Sequence, residues 1–183
     1  MRIRTLAGVT SVGALTWALV VRGSLTLDLG VGRRYRPLGP ITVRIAAPRD
    51  LVFDVVSAPY LGRTPRALRE KVEVLECGED LVLAAHHTRA YGLTATTVET
   101  VRFERPERVH FRLVRGPVPH VVETFTLTEV DGNTELRYFG ELGTDLWALG
   151  RFWGAAVART WEATVASSLE KIRTEGERRA KRG

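Results

Sequence analysis

Residues 97–119 read TVETVRFERPERVHFRLVRGPVP. Thr97, Glu99, Val101 and Phe103 alternate with Val98, Thr100, Arg102 and Glu104, and a period of two is that of a strand with two distinct faces. Glu-Arg-Pro-Glu-Arg at 104–108 then reverses the chain, because proline presets its own φ and the charged neighbours keep the turn in water. Beyond it Val109, Phe111 and Leu113 alternate again, up to a turn at Gly116, Pro117 and Pro119. Two strands joined by a tight reversal are antiparallel neighbours.

The same pattern extends in both directions. Towards the N-terminus, Val72 and Val74 open a strand, Cys-Gly-Glu-Asp at 77–80 turns into another at Leu81–Thr88, and a third runs over Leu93–Phe103. Towards the C-terminus, Val121–Val130 is followed by Asp131-Gly132, a strong hairpin signal, and by Thr134–Leu142. Earlier still, Ile41, Val43 and Ile45 alternate as a half-buried strand. Pro48 suits the first turn of a helix whose apolar side is Leu51, Val52, Val55 and Val56, ending near Pro59. Tyr60–Glu70 reads as a second short helix or turn. At the C-terminus Leu146, Leu149, Trp153, Val157, Thr160, Trp161, Thr164 and Val165 recur at helical spacing, with Arg151, Arg159 and Glu162 opposite. Thr144 or Asp145 is the expected cap of that helix.

This order of elements resembles the SRPBCC superfamily, which includes START-like lipid-transfer domains, the birch-pollen allergen type and the polyketide cyclase/dehydrase family. The resemblance runs from about Ile41 to Ile172. It is carried by ITVRIAAPRDLVF at 41–53, by residues 97–119, and by the hairpin DGNTEL at 131–136. It implies an α+β helix-grip fold: a curved antiparallel sheet of about seven strands wrapped around the long C-terminal helix, with two short helices after the first strand. Between sheet and helix such folds hold a cavity for sterols, lipids, quinones, hormones or polyketides. The fold hosts both binders and enzymes, so it does not fix an activity. The expectation is binding of a lipid or other small hydrophobic ligand beside a membrane. The alternative is a polyketide cyclase/dehydrase-like enzyme using carboxylate or histidine acid/base groups.

Strand parity nominates the polar groups of such a cavity. Glu99 shares a face with Leu93, Ala95, Val101 and Phe103, and Glu123 shares one with Val121, Phe125 and Leu127. His87 falls in line with Leu81, Leu83 and Ala85, and Tyr138 with Leu136 and Leu142. A buried carboxylate is costly unless paired, and its pKa rises. A bulge that returns these groups to solvent, or pairing with Arg102 or Arg112, is the structural alternative. On the helix, Trp153, Val157 and Trp161 form one stripe, which in this fold is both core and cavity wall. The candidate ligand-binding set is therefore His87, Glu99, Glu123, Tyr138, Trp153, Val157 and Trp161, with no catalytic residue assigned.

Composition narrows the remaining classes. The chain has 183 residues, 44% hydrophobic and 26% charged, as in an ordinary folded domain. Its single cysteine, Cys77, precludes an internal disulfide. His86 and His87 are adjacent, so in a regular strand they point to opposite faces and cannot share a metal. No metal site, phosphate loop or nucleophile elbow is expected, and no cofactor. The net charge of +6 gathers in arginines near both ends. No aromatic-interleaved stripe accompanies it, so nucleic acid is not expected as a partner.

Thr5–Val21 is uncharged, flanked by Arg2, Arg4 and Arg22, and sits at the lower limit for a membrane span, about 17 residues. A membrane anchor, a cleaved signal peptide and a packed helix compete. The exit Leu19–Ser24 lacks a small-residue cleavage site, which favours the anchor. The expected organisation is an anchor at 1–24, a Gly- and Pro-rich linker at 25–40, the ligand-binding domain at 41–176 and a basic tail at 177–183. The protein would then be single-pass, with its domain on the cytoplasmic side by the positive-inside tendency.

Overall fold

The computed structural model describes residues 15–62, 72–79, 81–90 and 93–182. Strand β1 (Arg34–Ile45) leads into helix α1 (Arg49–Ser57) and then into β2 (Val72–Cys77), β3 (Leu81–Ala90), β4 (Leu93–Glu104), β5 (Arg108–Arg115), β6 (His120–Val130) and β7 (Asn133–Thr144). Helix α2 (Trp147–Ala180) closes the domain. The seven strands form one sheet in the order β1-β7-β6-β5-β4-β3-β2. Every neighbouring pair is antiparallel. This is the α+β helix-grip arrangement. The second expected short helix, Tyr60–Glu70, falls mostly outside the described residues.

Alternation places one apolar row of most strands on the concave, α2-facing side of the sheet, the exposed edge strand β2 excepted. Val82, Val101, Val109, Leu127, Leu136 and Tyr138 are buried on that side, with Phe53 of α1 and Leu169 of α2 packed into the same core. Val52, Phe53, Val55 and Val56 supply the buried side of α1. The register between β4 and β5 shifts at Val98/Glu99, where Val98 pairs with Arg115 but Glu99 pairs with Leu113. Such a bulge bends the sheet locally.

Two elements, β1 and α2, differ from the reading of the sequence. Strand β1 begins at Arg34, so residues 34–38 of the expected linker are paired with β7. A register shift between Leu38 and Ile41 absorbs the Gly39-Pro40 step, and prolines are tolerated there because β1 is an edge strand. The basic segment from 177 onward is mostly the last turn of α2. At the other end of α2, Leu146 and Leu149 are exposed rather than on the inner face. The inner stripe starts with Gly150, Gly154, Val157 and Ala158, small residues that let the helix approach β7. Asp145 does not cap α2. Its carboxylate accepts hydrogen bonds from Leu29 N at 2.7 Å and Gly30 N at 2.9 Å and pairs with Arg33.

The single-pass anchor is not supported. Among the described residues no helix is long and apolar enough to cross a membrane. Residues 1–14 of the expected anchor lie outside them. Residues 15–21 are helical, and their end packs on the domain: Val20 and Val21 are buried. The Trp17 ring meets Trp153 edge-on at 4.7 Å, and Arg22 O accepts the Thr96 N–H at 2.9 Å. Gly23 follows at φ 69°, with a Cβ excluded by Thr96 O. The apolar character of this stretch is thus used partly for docking, the packed-helix alternative of the sequence.

Candidate functional site: a carboxyl pair in a cavity beneath the long helix

Between the sheet and α2 lies a cavity of about 1160 Å³. Its apolar walls include Val56, Phe111, Phe125, Val157 and Val165, and its lining also contains Tyr60, His86, Glu99, Glu123, Trp153 and Trp161. The inward rows of β4 and β6 bring both carboxylates to it, and both are buried, Glu99 4% and Glu123 6% exposed. Neither returns to solvent and neither pairs with Arg102 or Arg112 among the bonds present.

Glu123 is held from two elements at once. Tyr138 of β7 donates its O–H to Glu123 Oε1 at 2.6 Å, and Trp161 of α2 donates its indole N–H to the same oxygen at 2.6 Å. One donor stands on a strand of the sheet and the other on the helix that covers it, so the carboxyl is held from both sides. Burial, and then the charge of Glu99, raise its pKa to about 7, although Tyr138 and Trp161 pull in the other direction. The Tyr138 hydroxyl is itself pushed far above its ordinary value by burial and by Glu123.

Glu99 has different company. His86 Nδ1 lies 3.0 Å from Glu99 Oε2, and Thr97 donates its hydroxyl to Glu99 Oε1 at 2.8 Å. His86 Nε2 in turn lies 3.1 Å from the Tyr60 hydroxyl, in the turn just beyond α1. Burial alone would raise the Glu99 pKa, but the charge and hydrogen bond of His86 outweigh it and the direction is downward. Burial works against the His86 cation, and Glu99 outweighs that too, so the His86 pKa rises. The two directions favour an ion pair of Glu99 with His86, beside a Glu123 that holds its proton more tightly than an ordinary carboxyl.

His87 stands elsewhere. It borders the cavity, but its imidazole turns to the other side of β3, with Nδ1 3.1 Å from Thr96 Oγ1 and Nε2 3.5 Å from Glu73. The inward row of β3 is Val82, Ala84 and His86: Ala84 pairs with Glu99 and His86 with Thr97. The sequence misleads here because Leu81, Leu83 and Ala85 form the more apolar row. Near the sheet edge, however, that row is outward, and Leu81 is exposed. Tyr60 and His86 were thus missed, and only the pairing register with β4 identifies His86. Trp153 and Trp161 are half-buried, since one side of each faces the cavity; the Trp153 indole N–H donates to Pro117 O at 2.8 Å. Val157 is buried in the wall beside them.

The sequence profile of the polyketide cyclase / dehydrase and lipid transport family matches residues 41–177. The chain belongs to this family. Among solved structures this family member is similar to the Zhui aromatase/cyclase from Streptomyces sp. R1128, at 21% identity and a TM-score of 0.64 over 80% of this chain and 95% of that one. It is similar to a START superfamily protein from Mycobacterium smegmatis, at 12% identity and a TM-score of 0.60 over 78% and 99% of the two chains. The di-domain aromatase/cyclase BexL from the BE-7585A biosynthetic pathway matches at 22% identity and a TM-score of 0.55, over 81% of this chain and 50% of that one. At these identities the likeness is one of fold. No curated protein matches the chain.

Proposed function

We propose that this family member binds a lipid or other small, mostly apolar molecule in the cavity beneath α2, with the polar end of the molecule at Glu123. The observation that supports the reading is the cavity of about 1160 Å³ with apolar walls and one inward-held carboxyl whose second oxygen takes no hydrogen bond from the described residues. Small-molecule sites are typically about 300–1,000 Å³, apolar, with a few placed polar groups. Below its pKa of about 7, Glu123 is a hydrogen-bond donor to a ligand carbonyl oxygen. Ionised, it accepts from a ligand hydroxyl.

A second reading has its own support. Two carboxyls in one cavity with pKa values pushed in opposite directions, Glu99 down and Glu123 up, are the arrangement in which one group gives a proton while the other stays charged. That would suit cyclase/dehydrase-like acid/base chemistry on a carbonyl substrate. Glu123→Gln separates the two. It preserves shape and the acceptor for Tyr138 and Trp161 but cannot lose or give a carboxyl proton. A binder carrying it stays folded and changes affinity or ligand choice. An acid/base enzyme keeps its binding and loses turnover. Unaltered ligand binding and no turnover in either protein would reject Glu123 as a site residue.

A further inference from the structure

The start of α2 exposes apolar side chains that neither the core nor the cavity uses. Phe152 is 79% exposed, Leu149 68% and Trp147 55%, and Leu29 and Val31 lie open beside them. Single exposed apolar residues are ordinary, but a contiguous aromatic and aliphatic patch marks an interaction surface. This one is held rigid. Leu146 N donates to Val31 O at 2.8 Å, Trp147 N to Gly32 O at 3.1 Å, and Asp145 ties down Leu29 and Gly30. Leu146 and Trp147 are both kept at positive φ, 67° and 46°, which non-glycine residues rarely adopt.

Its charges are one-sided. Asp28 and Asp145, the acids beside it, are both taken up by Arg33. Arg34, paired to Thr144 at the head of β1, and Arg151, between Leu149 and Phe152, make no ion pair among the described residues. We infer that this knob docks on the surface of an anionic lipid bilayer, with Trp147, Leu149 and Phe152 entering the headgroup region and Arg34 and Arg151 meeting lipid phosphates. Tryptophan and phenylalanine beside arginine suit that boundary, where an apolar body and a charged neighbour are both satisfied. A second copy fits the patch worse, because two-fold pairing would face arginines against arginines while the nearby acids, Asp28 and Asp145, are already taken by Arg33. The inference uses none of the N-terminal helical segment and does not depend on what fills the cavity.

The test is co-sedimentation of the full chain with phosphatidylcholine vesicles, with and without phosphatidylglycerol, together with quenching of tryptophan fluorescence by brominated lipid. Binding is expected to require phosphatidylglycerol and to weaken with salt. It should fall at least about tenfold in the double variant Leu149→Glu/Phe152→Glu and about fivefold in Arg34→Ala or Arg151→Ala. Bromolipid quenching should drop in Trp147→Phe, a change that leaves the charge pattern intact. No binding to phosphatidylglycerol vesicles, equal binding by the double variant, or wild-type self-association that the double variant abolishes would each overturn the inference.

Discussion

Glu123 takes two hydrogen bonds on one oxygen from groups on different elements, so each partner can be tested alone. Tyr138→Phe removes one donor that lowers the Glu123 pKa. It should therefore raise that pKa above about 7 and cost about 1 kcal/mol of stability, read by carboxyl carbon NMR and by denaturant unfolding. Stability should also depend on pH with a definite sign. The folded pKa of Glu123 lies above its ordinary 4.5, so between these values the unfolded chain loses its proton first. Stability then falls as pH rises from 4.5 to about 7, by up to about 1.4 kcal/mol per pH unit. Glu123→Gln should flatten that slope while the protein stays folded. The His86–Glu99 pair behaves differently. His86→Ala strands a buried carboxylate and should cost about 3 kcal/mol or more, whereas His86→Phe/Glu99→Leu, which removes both charges, should recover much of it. Equal losses in the single and double variants would show that no ion pair forms.

At the scale of elements, the sheet and the long helix were legible because each has an unambiguous period. The hairpins at 104–108 and 131–132 set strand order and therefore the antiparallel topology. What the period could not give was phase at the ends. Leu149 and Trp153 both fit a spacing of three and four, yet Gly150 and Gly154 mark the true inner stripe, because the helix approaches β7 closely there and only small residues fit. Parity likewise places Glu99 and Glu123 on apolar rows and nominates His87 on β3, which borders the cavity but turns its ring toward Thr96 and Glu73, while His86 on the other row meets Glu99. The phase of α2 is open to a direct comparison. Leu169→Ala, at a fully buried position, should cost about 2–5 kcal/mol. Leu149→Ala, at an exposed one, should change stability by less than about 0.5 kcal/mol.

For the whole molecule, the N-terminal stretch, one end of the cavity and the apolar knob meet near the first turns of α2. Val21 and Trp153 line the cavity, Trp17 covers Trp153, and Phe152 is the next residue out. An uncharged N-terminal stretch resembles an anchor when length and hydropathy are all that can be weighed. Its packing against β4 and α2 depends on residues far away in sequence, Thr96 and Trp153, so no local pattern could show it. Above all, the cavity should be occupied. Native mass spectrometry of the full chain, purified without denaturation, tests it against the cavity-filling variant Val165→Trp. The wild type should carry a bound species of defined mass that extracts into organic solvent, is lost or reduced in Val165→Trp, and is altered in Glu123→Gln. Wild-type protein that stays free of bound molecules, and takes up added fatty acids, sterols or polyketide analogues no better than Val165→Trp, would contradict it.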